Sequence, residues 1–152
     1  DITGNPLTNL SIIAGYSYNH MVYLETANSL NSSIEGERVV RTPLNTANAS
    51  VFYTFENFVK GLKIGATAVY TGNRYGGWNN QKDKDGNQKT DRMIPLNGFT
   101  TVDFNVGYQF KKFLIQGKMA NVFDVLNYTV HENYSVNPIN PRNFYITLTY
   151  KL

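Results

Sequence analysis

Residues 81–92, "QKDKDGNQKTDR", carry side-chain oxygens at the alternate spacing of a calcium-binding loop. With Asp83, Asp85 and Gly86 at the third, fifth and sixth loop positions, however, the first falls on Gln81 and the twelfth on Arg92, where carboxylates are required. A polar turn around Asp85 and Gly86 fits the stretch better. His20 and His131 lie in different loops or loop ends and read as solvated residues rather than ligands. The absence of cysteine removes disulfides, thiol nucleophiles and thiolate metal sites. No Ser, His and carboxylate set clusters, and Asp103 and Glu56 suit a hydrogen-bond network on a polar face as well as any catalytic task. No catalytic residue, metal site or cofactor is expected.

Two other groups are better suited to binding. Arg74, Tyr75 and Trp78 fall in one polar stretch, and Tyr128, His131 and Tyr134 in another. Aromatic faces with a few cations among them suit an anionic ligand that presents flat surfaces. The simpler reading of Tyr75 and Trp78 is as rim or loop-packing aromatics.

The elements that must hold these residues are strands. Hydrophobic residues make up 41% of the chain, charged residues only 16%, and Tyr and Phe are abundant. That composition favours sheet, and no window keeps an apolar stripe at helical spacing. Six segments alternate with period two. One face carries Leu10, Ile12, Ala14, Tyr16 and Tyr18, then Ala47 to Phe55, Leu62 to Tyr70, Val102 to Phe110, Phe113 to Met119, and Phe144 to Leu152, each taken at every second residue. The opposite face is largely polar, with Ile13 the exception in the first segment and the alternation weaker in the fifth, where Leu114 and Ala120 share that face with Gln116 and Lys118. No apolar run reaches the length of a membrane-spanning helix, and residues 1–20 lack a signal-peptide layout. The net charge of +3 is small and its residues are scattered in sequence, which argues against nucleic acid as a partner.

The connections alternate strictly. Strands two and three are joined through "ENFVKG" and strands four and five through little more than "FKK", whereas residues 20–45, 72–98 and 121–141 form long polar loops. An antiparallel meander then has its short turns at one end and its long loops at the other, as in an outer-membrane barrel. On the apolar face Tyr16, Tyr18, Tyr70 and Phe144 fall near the loop end. Tyr53, Phe55, Tyr108, Phe110, Phe113 and Tyr150 fall near the turn end, with smaller residues between and Phe104 out of place. Two aromatic girdles of this kind mark a lipid-facing surface. The alternative is a soluble lipocalin-like barrel with the aromatics inside, which leaves the low charge fraction and one-sided loops unexplained.

Residues 96–128, "LNGFTTVDFNVGYQFKKFLIQGKMANVFDVLNY", resemble the penultimate hairpin of TonB-dependent outer-membrane receptors. "NVFD", Asn121 to Asp124, stands where that family has Asn-Leu-Phe-Asp. "NPRNFYITLTYKL" resembles the family's final strand, preceded by Pro-Arg, although the family usually closes on Phe and this sequence closes on Leu152. "TPLNTANASVFYTF" and "GLKIGATAVYTGNRYGG" match its less specific strand patterns. The resemblance implies an all-β fold, an antiparallel up-and-down meander of about six strands forming part of a transmembrane barrel of twenty-two. Residues 1–152 would be a C-terminal segment of that barrel, without the plug domain or energy-coupling box. Asn121, Phe123, Asp124 and Arg142 would be structural, and Arg74, Tyr75, Trp78, Tyr128, His131 and Tyr134 would face the ligand.

The implied setting is the outer membrane of a Gram-negative bacterium. The implied partners are outer-membrane lipid, a ferric siderophore or similar scarce nutrient, the TonB complex through the N-terminal part, and the barrel-assembly machinery. Vitamin B12, haem or an oligosaccharide are the other cargoes of the family. An outer-membrane channel or adhesin without energy coupling is the competing function. Taken alone, the segment is expected to self-associate through its open sheet edges.

Overall fold

The computed structural model describes residues 1–25, 34–57, 59–79, 82–87, 92–131 and 135–152. The described residues form strands and loops without helix. Seven strands make one antiparallel sheet in the order β1 (Ile2–Leu7), β2 (Leu10–Tyr18), β3 (Asn45–Thr54), β4 (Leu62–Thr71), β7 (Phe99–Phe110), β8 (Phe113–Ala120) and β11 (Asn143–Tyr150). Sheet neighbours follow chain order throughout, so the topology is an up-and-down meander. Two small hairpins stand in the long loops: β5 (Arg74–Trp78) with β6 (Met93–Leu96), and β9 (Tyr128–His131) with β10 (Ser135–Pro138).

The six alternating segments all form strands, and β1 is an addition. Its sequence, "ITGNPL", hides the alternation behind Gly4, Asn5 and Pro6, and its register to β2 shifts between Gly4 and Leu7. A proline is tolerated there because β1 lies at the sheet edge, where one row of backbone groups needs no partner strand within the chain.

From β2 to β11 register carries the apolar face across the sheet without a slip. Directly opposed residues share a face, and the pairs run Ile12↔Val51, Val51↔Ala66, Ala66↔Phe104, Phe104↔Met119 and Met119↔Phe144. The polar set is equally continuous, through Gly65↔Asn105, Asn105↔Lys118 and Lys118↔Tyr145. Residues 8–9, 55–61 and 111–112 make short turns at one end of the sheet, and residues 19–44, 72–98 and 121–142 make the long connections at the other.

What the sheet lacks is a core. Among the described residues the only buried hydrophobic side chain is Val40, in a loop. Val51 is 42% exposed, Leu148 64% and Ile146 83%, all on the apolar face, and Ile64 and Ala66 are only half-buried. So large and continuous an apolar surface is far beyond the patch a soluble monomer leaves bare. The lipocalin-like alternative needs these residues inside, and the structure places them outside an open sheet. At about 3.3 Å per residue and a tilt near 40°, strands of about ten residues rise roughly 25 Å, the height of an outer-membrane apolar band.

Candidate functional site

The long connections meet at the loop end, and the base of the last of them is built on Asn121. Its side chain is almost fully buried, and its backbone adopts a left-handed φ of 49°. Asn121 Nδ2 donates to the carbonyls of Val125 and Asn140, each at 3.0 Å, and its Oδ1 accepts the Val125 N–H at 2.9 Å. The Asn121 N–H donates to Asp103 Oδ1 at 3.0 Å, joining this turn to β7. Asp124, also left-handed, accepts the Arg142 N–H at 2.8 Å through Oδ1, and Arg142 Nη1 reaches the Val122 carbonyl at 3.4 Å. An amide side chain suits this position because it donates twice and accepts at once, and Asn tolerates positive φ. Phe123 takes no part in these bonds and is 71% exposed.

The structure splits the set expected to face a ligand. Arg74, at the start of β5, is buried and donates to the Asn97 carbonyl at 3.4 Å, Asn127 Oδ1 at 3.1 Å and the Tyr128 carbonyl at 2.5 Å, with its guanidinium 5.4 Å from the Phe99 ring centre. It therefore ties the β5–β6 hairpin to the last loop. Burial pushes the Arg74 guanidinium down from its ordinary pKa. A guanidinium starts high enough to stay charged nonetheless. Tyr128 meets Arg74 through its backbone. β5 also packs on β9, for a Cβ added to Gly76 would lie 3.3 Å from Val130 Cβ and Cγ1. His131 ends β9 by its backbone, with its side chain outside the described residues, and Tyr134 lies outside them altogether.

Tyr75 and Trp78 instead meet a segment that the sequence did not single out. Trp78 Nε1 donates to Glu37 Oε2, its ring lies 6.1 Å from Tyr23, and Glu37 Oε1 pairs with buried Arg92 at 2.9 Å. The Tyr75 carbonyl accepts the Arg41 N–H at 2.6 Å, and the Arg38 guanidinium stands 5.7 Å from the Tyr75 ring centre. Arg38, Arg74 and Tyr75, with Asn73, Leu96 and Asn97, line a small cavity of about 140 Å³. Arg38 Nε is buried there without a hydrogen-bond partner among the described residues, its Nη2 reaching only the Thr42 carbonyl at 3.4 Å. The charged stretch "EGERVVR", residues 35–41, was the available sequence signal.

Asp83, tested above as a calcium ligand, accepts the backbone N–H groups of Asp85 and Asn87 at 2.9 and 2.8 Å, and Gly86 takes a φ of 82°. Those bonds describe an Asp-capped turn, and Gln81 lies outside the described residues.

On the polar face the same strands form an open concave surface of about 660 Å³, lined in part by Phe52, Lys63, Asn105, Lys118 and Tyr145. Lys118 Nζ lies 2.7 Å from Asp103 Oδ2, so that Asp103 serves both a neighbouring strand and the Asn121 turn.

An exposed apolar face, a polar concave face and interlocked loops at one end make a piece of barrel wall. A family model described as TonB dependent receptor-like, beta-barrel, matches residues 1–137. The chain belongs to this family. Its members are receptors rather than enzymes. No curated protein sequence matches the chain. Three receptors are among the solved structures that share the fold. The pyoverdine outer membrane receptor FpvA of Pseudomonas aeruginosa, bound to pyoverdine, gives a TM-score of 0.73 at 18% identity over 99% of this chain and 20% of its own. The siderophore receptor PiuA of Acinetobacter baumannii gives 0.75 at 17% identity over 97% and 20%. The ferric-catecholate import receptor Fiu of Escherichia coli K12 gives 0.71 at 19% identity over 97% and 19%. This segment of a TonB-dependent receptor barrel thus spans about one fifth of the length of each. The sheet is an open arc of such a barrel, with β1 and β11 as its unpaired edges.

Proposed function

We propose that this segment belongs to an outer-membrane receptor of a Gram-negative bacterium that takes up a ferric siderophore, or a similar scarce nutrient, by TonB-dependent transport. The chain supplies seven strands and three outer loops of a larger barrel, whose other strands pair with β1 and β11. A plug and its coupling to the TonB complex belong to the rest of the protein, and the barrel-assembly machinery inserts it. The unbroken apolar face carries the reading, since only a hydrocarbon surround satisfies it without a core. The siderophore receptors that share the fold favour that cargo.

Within this reading Arg38, rather than Arg74, is the cation that meets the cargo. Arg74 already satisfies three acceptors, whereas Arg38 brings a buried Nε, unpartnered among the described residues, beside the Tyr75 ring. Uptake of radioactive iron by cells that carry the intact receptor tests both statements. Transport is expected to vanish when the receptor or its energy coupling is removed. Arg38→Ala is expected to weaken ferric siderophore binding about tenfold, the worth of one hydrogen bond to a charged group. Iron uptake unchanged by loss of the receptor sinks the siderophore reading, and full affinity in Arg38→Ala sinks the assignment of Arg38.

A further inference from the structure

The lysines are scattered in sequence, but the fold gathers four of them at the short-turn end. Lys60 lies in the β3–β4 turn, Lys111 and Lys112 form the β7–β8 turn, and Lys151 follows β11, all four of them exposed. Glu56 is the only acid in those turns, which leaves three positive charges. That equals the net charge of the whole chain, +3, because the charged side chains of the sheet and the long loops cancel. None of the four lysines is ion-paired among the described residues.

Their setting is specific. Lys111 Nζ stands 5.3 Å from the Phe110 ring centre and Lys112 Nζ 5.8 Å from that of Tyr150. Phe110 and Tyr150 belong to the aromatic girdle of the apolar face, and Tyr150 packs 5.0 Å from Phe113. Between the two turns an open cleft of about 690 Å³ is lined by apolar Val59, Tyr108 and Phe110 together with cationic Lys60 and Lys111. In the membrane-barrel reading, rings of this girdle sit at headgroup depth, and ammonium groups held 5.3 and 5.8 Å from them lie beside the phosphate layer. A net three positive charges repel one another in that layer unless anions enter it.

We propose that the short-turn rim is a docking surface for anionic phospholipid headgroups of the adjacent leaflet. Lys60 and Lys111 hold a phosphate over the cleft, while Lys112 and Lys151 hold another beside Tyr150. The inference rests on the membrane-barrel reading above and adds a lipid preference to it. The zwitterionic headgroup of phosphatidylethanolamine leaves the excess charge uncompensated, whereas phosphatidylglycerol removes it.

The test reconstitutes the intact receptor in vesicles of phosphatidylethanolamine, alone or mixed with phosphatidylglycerol, and measures the lipid that stays bound on extraction. Phosphatidylglycerol is expected to be enriched about fivefold over the bulk ratio, as for a lysine at an anionic surface. Lys111→Asn with Lys112→Gln and Lys151→Gln returns the ratio towards bulk, Asn being chosen because residue 111 has a φ of 51°. Lys82→Gln with Lys84→Gln, in a long loop, leaves the enrichment unchanged. Enrichment in the wild type must also fall as salt rises, which keeps the test decisive if the triple variant does not fold. A bulk ratio in the wild type, enrichment that ignores salt, or a folded triple variant that keeps it overturns the lipid assignment alone. Failure to float with either kind of vesicle overturns the membrane-barrel reading as well.

Discussion

At mid-height the two faces of the sheet are separated by a single residue along each strand, yet different physics holds them. Ile64, Val106, Gly117 and Ile146 form one row; Gly65, Asn105, Lys118 and Tyr145 form the next, on the opposite face. The first row has no polar side chain, and Val106 is 39% exposed. In the second, the Phe52 ring lies over Gly65, Lys63 stands 5.3 Å from that ring centre, and Lys118 pairs with Asp103. The outward row is stabilised by the medium that wets it. The inward row is stabilised by particular side chains in particular places. Charge should therefore damage the first and be tolerated by the second, whereas small changes of shape should do the reverse.

The largest expected effect comes from placing the same charge on either side. Val106→Arg puts a guanidinium near the middle of the apolar band and should cost about 2–4 kcal/mol of barrel stability. Asn105→Arg, one residue earlier, should change stability by about 0.5 kcal/mol, as at an ordinary wetted position. Urea unfolding of the intact receptor in lipid vesicles measures both. Equal costs would mean that the faces share one environment, and the comparison would break.

This contrast was legible in the sequence because strand register preserves parity. Once Ile12, Val51, Ala66 and Phe104 are each read as outward, direct pairing keeps them there. β1 was not legible, since Gly4, Asn5 and Pro6 erase its alternation, and the loop hairpins were too short to show a period. The residues expected to face a ligand were half legible. Tyr75 and Trp78 announce themselves by type, but Arg38 beside Tyr75, Glu37 on Trp78 and Arg92 on Glu37 come from distant chain positions joined only by the fold. "NVFD" is visible as a motif, whereas the bonds from Asn121 to the Asn140 carbonyl and from the Arg142 N–H to Asp124 join residues that no local pattern pairs. The four rim lysines were invisible for the same reason.

Shape gives a second, smaller contrast. A Cβ on Gly65 would lie 2.3 Å from Phe52 Cδ1 and 3.1 Å from the Val51 carbonyl oxygen. Gly65→Ala must therefore displace the ring and its contact with Lys63, at about 1–3 kcal/mol. A Cβ on outward Gly117 meets only Val106 Cγ1 at 3.1 Å, a side chain free to lean into the surrounding medium. Gly117→Ala should be neutral within about 0.5 kcal/mol, because relief of glycine's backbone entropy offsets the crowding. The same unfolding experiment ranks the two, and a costlier Gly117→Ala would show that the outward face is packed against something firmer than lipid.

The smallest effect decides how wet the inward face is. Lys118→Met removes the partner of Asp103, which keeps its hydrogen bond from the Asn121 N–H. With Lys118 45% and Asp103 25% exposed, water screens the pair, and its loss should cost about 0.5–1 kcal/mol, less as salt is added. A cost of about 3 kcal/mol, insensitive to salt, would instead be that of a carboxylate left unpaired in a dry interior. The polar face would then be covered rather than open to water. Its contrast with the apolar face would then reflect two kinds of packing, and the difference of medium that separates Val106 from Asn105 would disappear.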